Sequence, residues 1–104
     1  MEGSRFRLRV TFQKKGIMCY FSQLDLLKIL ERAGRRANLP FYFTQGFSPR
    51  PKFSFNQALK LGVEGEIEVI FHFTERMDKE TLKKKLIAQL PEGLDILRVE
   101  EVCQ

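Results

Sequence analysis

Apolar and polar residues alternate from Arg5 to Phe12, with Phe6, Leu8, Val10 and Phe12 on one phase and Arg5, Arg7, Arg9 and Thr11 on the other. Period two predicts a strand over residues 5–13 with a buried face and an outward row of arginines. Gly16 ends it. Ser22 and Asp25 then stand at capping-box spacing, and Phe21 and Leu26 at the spacing of a hydrophobic staple. A helix follows to about Ala37, with Leu26, Leu30, Ala33 and Ala37 as its apolar stripe. Lys28, Arg32, Arg35 and Arg36 take the opposite side. Gly34 inside this helix costs about 1 kcal/mol relative to Ala, which marks close packing there. Asn38 and Pro40 stop the helix.

Phe41–Thr44 reads as a short strand, followed by the loop Gln45–Lys52. Phe53-Ser54-Phe55 alternates again, and Ala58–Leu61 continues or follows it. Glu66–Phe73 is a strand with Ile67, Val69, Phe71 and Phe73 inward, which puts His72 on the solvated side. Asp78 caps a second helix over 79–90 that buries Leu82, Leu86 and Leu90. Leu94–Val102 has strand composition without a clear facing. The order β-α-β-β-(β)-α-β predicts an α+β, ferredoxin-like domain, an antiparallel sheet with two helices on one face. The 104 residues hold one such domain, and 43% hydrophobic content with 10 Phe supplies its core.

Charge adds an asymmetry to this picture. Residues 1–60 carry 12 Lys and Arg against three acids, while residues 61–104 carry six against ten. The split either creates one polyanion-facing side or lets the two halves neutralise each other across the sheet. Arg5, Arg7 and Arg9 are spaced about 6–7 Å apart along one strand face, close to successive phosphates on a nucleic-acid strand. Arg32 and Arg36 recur one turn apart on the helix. In the loop, Gly46 permits a tight bend, and Pro49 and Pro51 stiffen the backbone that holds out Arg50 and Lys52. The structural alternative for Arg50 is an ion pair with Glu64 or Asp25 that merely fixes the crossover.

Catalytic and cofactor signals are poor. There is one His, and Cys19 and Cys103 stand apart, so neither a metal centre nor an iron–sulfur cluster is expected. Both thiols are expected unpaired in a reducing compartment. No phosphate-binding glycine motif is present. Glu66 and Glu68 share one strand face and are expected to pair with Arg7 or Arg9. No apolar run approaches the roughly 20 residues of a membrane span, and the N-terminus lacks a signal-peptide core, so a cytoplasmic location is expected. The residues read as a non-catalytic binding domain that takes RNA or another anionic substrate on Arg5, Arg7, Arg9, Arg32, Arg36, Arg50 and Lys52. The alternatives are a protein-docking module using the first helix and the loop, and a small ribonuclease or transferase using His72.

The runs F-S-Q-L-D-L-L, E-R-A-G-R-R-A-N-L-P, T-Q-G-F-S-P-R-P-K-F-S-F and A-L-K-L-G-V-E-G lie in order between Phe21 and Gly65. In these runs the chain resembles the radical-SAM-linked family, a bacterial domain of unknown function often fused to, or encoded beside, a cobalamin-binding-type radical SAM protein. The resemblance implies an accessory role next to that enzyme, with a radical SAM protein as partner. Gln23 stands where the family has a histidine, so any acid–base role of that position is absent here. Family members also tend to continue past one such unit, which implies that this chain is a short variant or a fragment.

Overall fold

The computed structural model describes residues 6–55 and 65–102. Its elements are β1 (Phe6–Lys14), a 3-10 turn (Gly16–Tyr20), α1 (Gln23–Arg36), β2 (Phe53–Phe55), β3 (Gly65–Phe73), α2 (Lys79–Ile87) and β4 (Leu94–Glu101). The sheet order is β2-β3-β1-β4 and every pairing is antiparallel. This is the ferredoxin-like arrangement, with both helices crossing one face. The inward phase of β1 and β3 is the one expected from alternation: Leu8, Val10, Phe12, Ile67, Val69, Phe71 and Phe73 are buried. They meet Leu26, Leu30 and Ala33 of α1 and Leu82 and Leu86 of α2 in one cluster.

The ends of α1 follow from local chemistry. Asp25 N–H donates to Ser22 Oγ at 3.1 Å, and Ser22 N–H donates to Asp25 Oδ2 at 3.1 Å. Together these bonds close the capping box. The Ser22 backbone donor, aided by its hydroxyl, holds the Asp25 carboxyl below its ordinary value. The cap is therefore complete above the normal Asp range and is lost as pH falls through the lowered one. At the other end Asn38 takes φ 60°, and Leu39 N–H donates to Gly34 O at 3.0 Å while Asn38 N–H donates to Arg35 O at 3.1 Å. These two bonds form a Schellman motif, which turns the chain toward Pro40.

Three elements differ from the pattern-based expectation. Residues 41–44 do not form a sheet strand; Phe41 bridges Phe73, and Phe43 bridges Pro51. Pro51 has no N–H to extend a ladder, and Pro49 lies two residues before it. Helix α2 ends at Ile87, with Ala88 as its C-cap, short of Leu90, the residue that Pro91 drives out of helical geometry. In β4 the register shifts opposite Thr11 and Phe12, which makes Leu97 an extra residue. Leu94 and Ile96 point inward before this bulge, and Val99 does so after it. One inserted residue reverses the phase, and that is why the strand's facing was unreadable. The further strand expected at Ala58–Leu61 lies outside the described residues.

Gly34 is fully enclosed by the ring of Phe41, and a Cβ on Gly34 would overlap that ring. Phe41 in turn packs edge-on to Phe53, with centroids 5.5 Å apart, and stacks on Phe73 at 6.1 Å. Gly34→Ala adds helix propensity worth up to about 1 kcal/mol, but it forces a ring out of a packed site. Overpacking dominates, so urea denaturation should show a net loss of about 1 kcal/mol or more. A gain in stability would mean that the ring yields freely.

Candidate binding surfaces

The residues singled out by charge fall on three separate surfaces. On the helix-free side of the sheet, Arg7 and Arg9 face outward as expected, in register with His72 and Ile70 of β3. Arg5 lies outside the described residues. This face is not an unpaired cationic ladder. Arg9 Nε donates to Glu100 Oε1 at 3.2 Å, with the side chains 34% and 44% exposed. Arg98 approaches both Glu66, at 3.7 Å, and Glu100, at 4.0 Å. Glu66 thus pairs with a β4 arginine and not with Arg7 or Arg9. Lys15 meets Asp95 at 3.2 Å. Basic β1 lies directly beside β4, and the Arg9–Glu100 and Lys15–Asp95 pairs join the two halves of the charge split.

The centre of the same face is covered. Thr11, in register with Glu68 and Arg98, has no exposed area. His72 is only 5% exposed, which corrects the expectation of a solvated sheet histidine. Its Nε2 lies 3.0 Å from Ser54 Oγ, between β2 on one side and Arg7 of β1 on the other. The pairing of β2 with β3 creates this contact across 18 residues of sequence, so periodicity alone had no access to it. Arg7 also lines a pocket of about 210 Å3 with Phe6, Arg76, Met77 and Glu101, where a carboxylate already accompanies the two guanidinium groups.

Arg32 and Arg36 occupy a second place. Both are exposed on the rim of a groove between α1 and the end of α2. Arg50 and Lys52 belong to a third. Thr44 N–H donates to Arg50 O at 2.8 Å, Arg50 N–H donates to Thr44 Oγ1 at 3.2 Å, and Lys52 N–H donates to Tyr42 O at 2.9 Å. These bonds make residues 42–52 a hairpin that projects from the β3 edge, where Tyr42 N–H donates to His72 O at 2.9 Å. Arg50 reaches Glu31 of α1 at 3.8 Å, and Glu31 also holds Arg35 at 2.9 Å. Glu31 is therefore the partner, not Asp25, while Glu64 lies outside the described residues. Glu31 and Arg35 lie on the hairpin flank of α1, and Arg32 and Arg36 on the groove flank. The expected single patch joining Arg50 and Lys52 to Arg32 and Arg36 does not form, because α1 stands between them.

The charge pattern overlooked Phe47. It is fully exposed at the hairpin tip, and Phe43 on the rising arm is also exposed. An apolar residue between Gly46 and Ser48-Pro49, inside a stiffened loop, was the available signal. Among the described residues no group of three or more His, Cys, Asp or Glu is placed to hold a metal ion. No described helix is long and apolar enough to cross a membrane. Cys19 is a buried free thiol, and Cys103 lies outside the described residues.

Backbone hydrogen bonds hold the hairpin, and the Arg50–Glu31 pair is long and only partly buried. Arg50→Ala should therefore change the urea-unfolding free energy by less than about 1 kcal/mol. A larger loss would make the ion pair the brace of the hairpin.

No curated protein and no solved structure matches the chain. A family model does match, and it covers residues 7–104, which includes both helices, the whole hairpin and nearly all of the sheet. The shared unit is thus the entire βαββαβ domain together with its projecting hairpin, and the chain belongs to the bacterial family described as uncharacterized protein conserved in bacteria (DUF2344).

Proposed function

We propose that this chain is a non-catalytic accessory domain that docks on a protein partner through its hairpin and the adjoining flank of α1. Phe47 is the observation that carries the reading. A fully exposed phenylalanine on a hydrogen-bonded hairpin contributes nothing to the core. Burying such a side chain in a partner's pocket is worth about 1.5–3 kcal/mol. The two prolines and the paired arms keep the ordering cost of binding low. An exposed aromatic at the tip, with Phe43, Arg50 and Lys52 on the arms below it, matches the composition of interface hot spots, in which aromatic and arginine anchors carry most of the energy. The resemblance of the Phe21–Gly65 runs to the radical-SAM-linked family supports a cytoplasmic radical SAM protein as the partner.

RNA held on the sheet face is the weaker reading. Counterion release requires cations free to neutralise phosphates, and Arg9 and Arg98 already face carboxylates in the folded chain.

The test is co-elution on a sizing column with a cobalamin-binding-type radical SAM protein encoded in the same genome. The native chain should co-elute, and Phe47→Asp should abolish the complex while leaving the thermal midpoint unchanged. Nitrocellulose filter binding to mixed RNA at low salt runs in parallel. Retention of RNA that is lost in Arg7→Ala/Arg9→Ala, together with no effect of Phe47→Asp on co-elution, would return the function to the sheet face.

A further inference from the structure

The groove between α1 and the end of α2 lies on the opposite flank of α1 from the hairpin. It has a volume of about 440 Å3. Its walls include Phe21, Ile29, Leu90 and Pro91, and Arg32 and Arg36 stand on its rim. Three features make it more than a gap between helices. First, residues of α1 and of the segment that follows α2 line its two sides, Ile29, Arg32, Ala33 and Arg36 on one and Gln89, Leu90 and Pro91 on the other. Phe21, Ile29 and Leu90 are partly exposed at the edge of the core. Secondly, the rim cations have no ion-pair partner among the described residues. No carboxylate of the described residues lies in ion-pair range of Arg32 or Arg36, whereas Arg9, Arg35, Arg50 and Arg98 all have one. Thirdly, Arg32 and Arg36 are one helical turn apart, so their side chains leave α1 about 6 Å from each other along one ridge.

We infer that this groove binds a short acidic amphipathic segment of a partner protein, with aliphatic or aromatic side chains in the groove and two carboxylates on Arg32 and Arg36. The match is one of spacing as well as of sign. Carboxylates at positions i and i+3 or i+4 of a helical ligand recur at the same interval as the two guanidinium groups. Each guanidinium can take a carboxylate through two parallel hydrogen bonds. The apolar residues of such a ligand point to its other side and enter the groove, as in helix-in-groove recognition. A polyanion such as RNA fits less well, because Phe21 is the sole aromatic residue lining the groove and offers little stacking surface. The groove is separate from the Phe47 hairpin, so this inference does not depend on the docking reading above.

A random linear-peptide library displayed on phage, selected on the full chain, tests the inference. Selected peptides should combine aliphatic or aromatic residues with Asp or Glu spaced three or four residues apart. Their affinity, read by fluorescence anisotropy on synthetic copies, should fall by about tenfold or more in Arg32→Glu/Arg36→Glu, the loss of two charge-assisted contacts. It should fall much less in Lys79→Glu/Lys84→Glu, which makes the same charge change on exposed α2 positions. Phe47→Asp should leave it unaltered. Thermal unfolding confirms that each variant is folded. Failure to select any binder, selection of peptides without acidic residues, or equal losses in the two double variants would overturn the inference. Binding of oligouridylate at the same groove, abolished by Arg32→Glu/Arg36→Glu while no peptide binds, would replace the peptide with nucleic acid and overturn it as well.

Discussion

The close approach of Phe41 to Gly34 is the contact on which the rest of the molecule depends. A glycine in the middle of a helix is a local weakness, and here it opens the space that an aromatic ring fills. The ring joins α1 to β2 and β3 through Phe53, Phe71 and Phe73, at centroid separations of 5.0–6.3 Å within the group. Edge-on and offset contacts of this kind add to the burial of the rings themselves. The same residue fixes where the chain leaves the helix. Asn38 turns it in the left-handed conformation, Phe41 enters the core, and the backbone then reaches the β3 edge at Tyr42. The hairpin is consequently rooted in the aromatic core at its base and free only at its tip. The exposed Phe47 thus stands above a base packed into the core.

Electrostatics divide the surface into regions with different work to do. The sheet face joins the basic first strand to the acidic last strand; there Arg9 donates to Glu100, and Arg98 lies in ion-pair range of Glu66 and Glu100. These pairs are half exposed and contribute little to stability. The helical side differs. Among the described residues no carboxylate lies in ion-pair range of Arg32 or Arg36, and beside them lies the largely apolar groove between α1 and the end of α2. Helix α1 thereby presents an ion-paired flank to the hairpin and, among the described residues, an unpaired flank to the groove.

Much of the architecture was legible in the residue pattern. The alternation in β1 and β3, the Ser22–Asp25 cap, the Asn38 stop and the Asp78 cap all depend on interactions within a few residues, and each appears where periodicity and capping chemistry place it. Even the cost of Gly34 signalled the packing that the structure supplies. The element order was enough to imply a ferredoxin-like sheet, because short connections between antiparallel strands and crossing helices leave few alternatives.

Tertiary structure alone decided the environment of each functional candidate. Which glutamate meets Arg9, whether His72 sees solvent and on which flank of α1 Arg50 lies are set by contacts between residues 18 to 91 positions apart. Strand register and helix rotation determine those contacts, and neither leaves a mark in local composition. The bulge at Leu97 makes the point at the scale of one residue: it reverses the facing of the second half of β4 and delivers Arg98 and Glu100 to the arginine face. The sequence by itself determined the order of the elements and the residues that form the core, because burial follows a period that can be counted along the chain. It did not determine the surfaces, because a charge on the surface acquires its meaning from neighbours that only folding brings beside it.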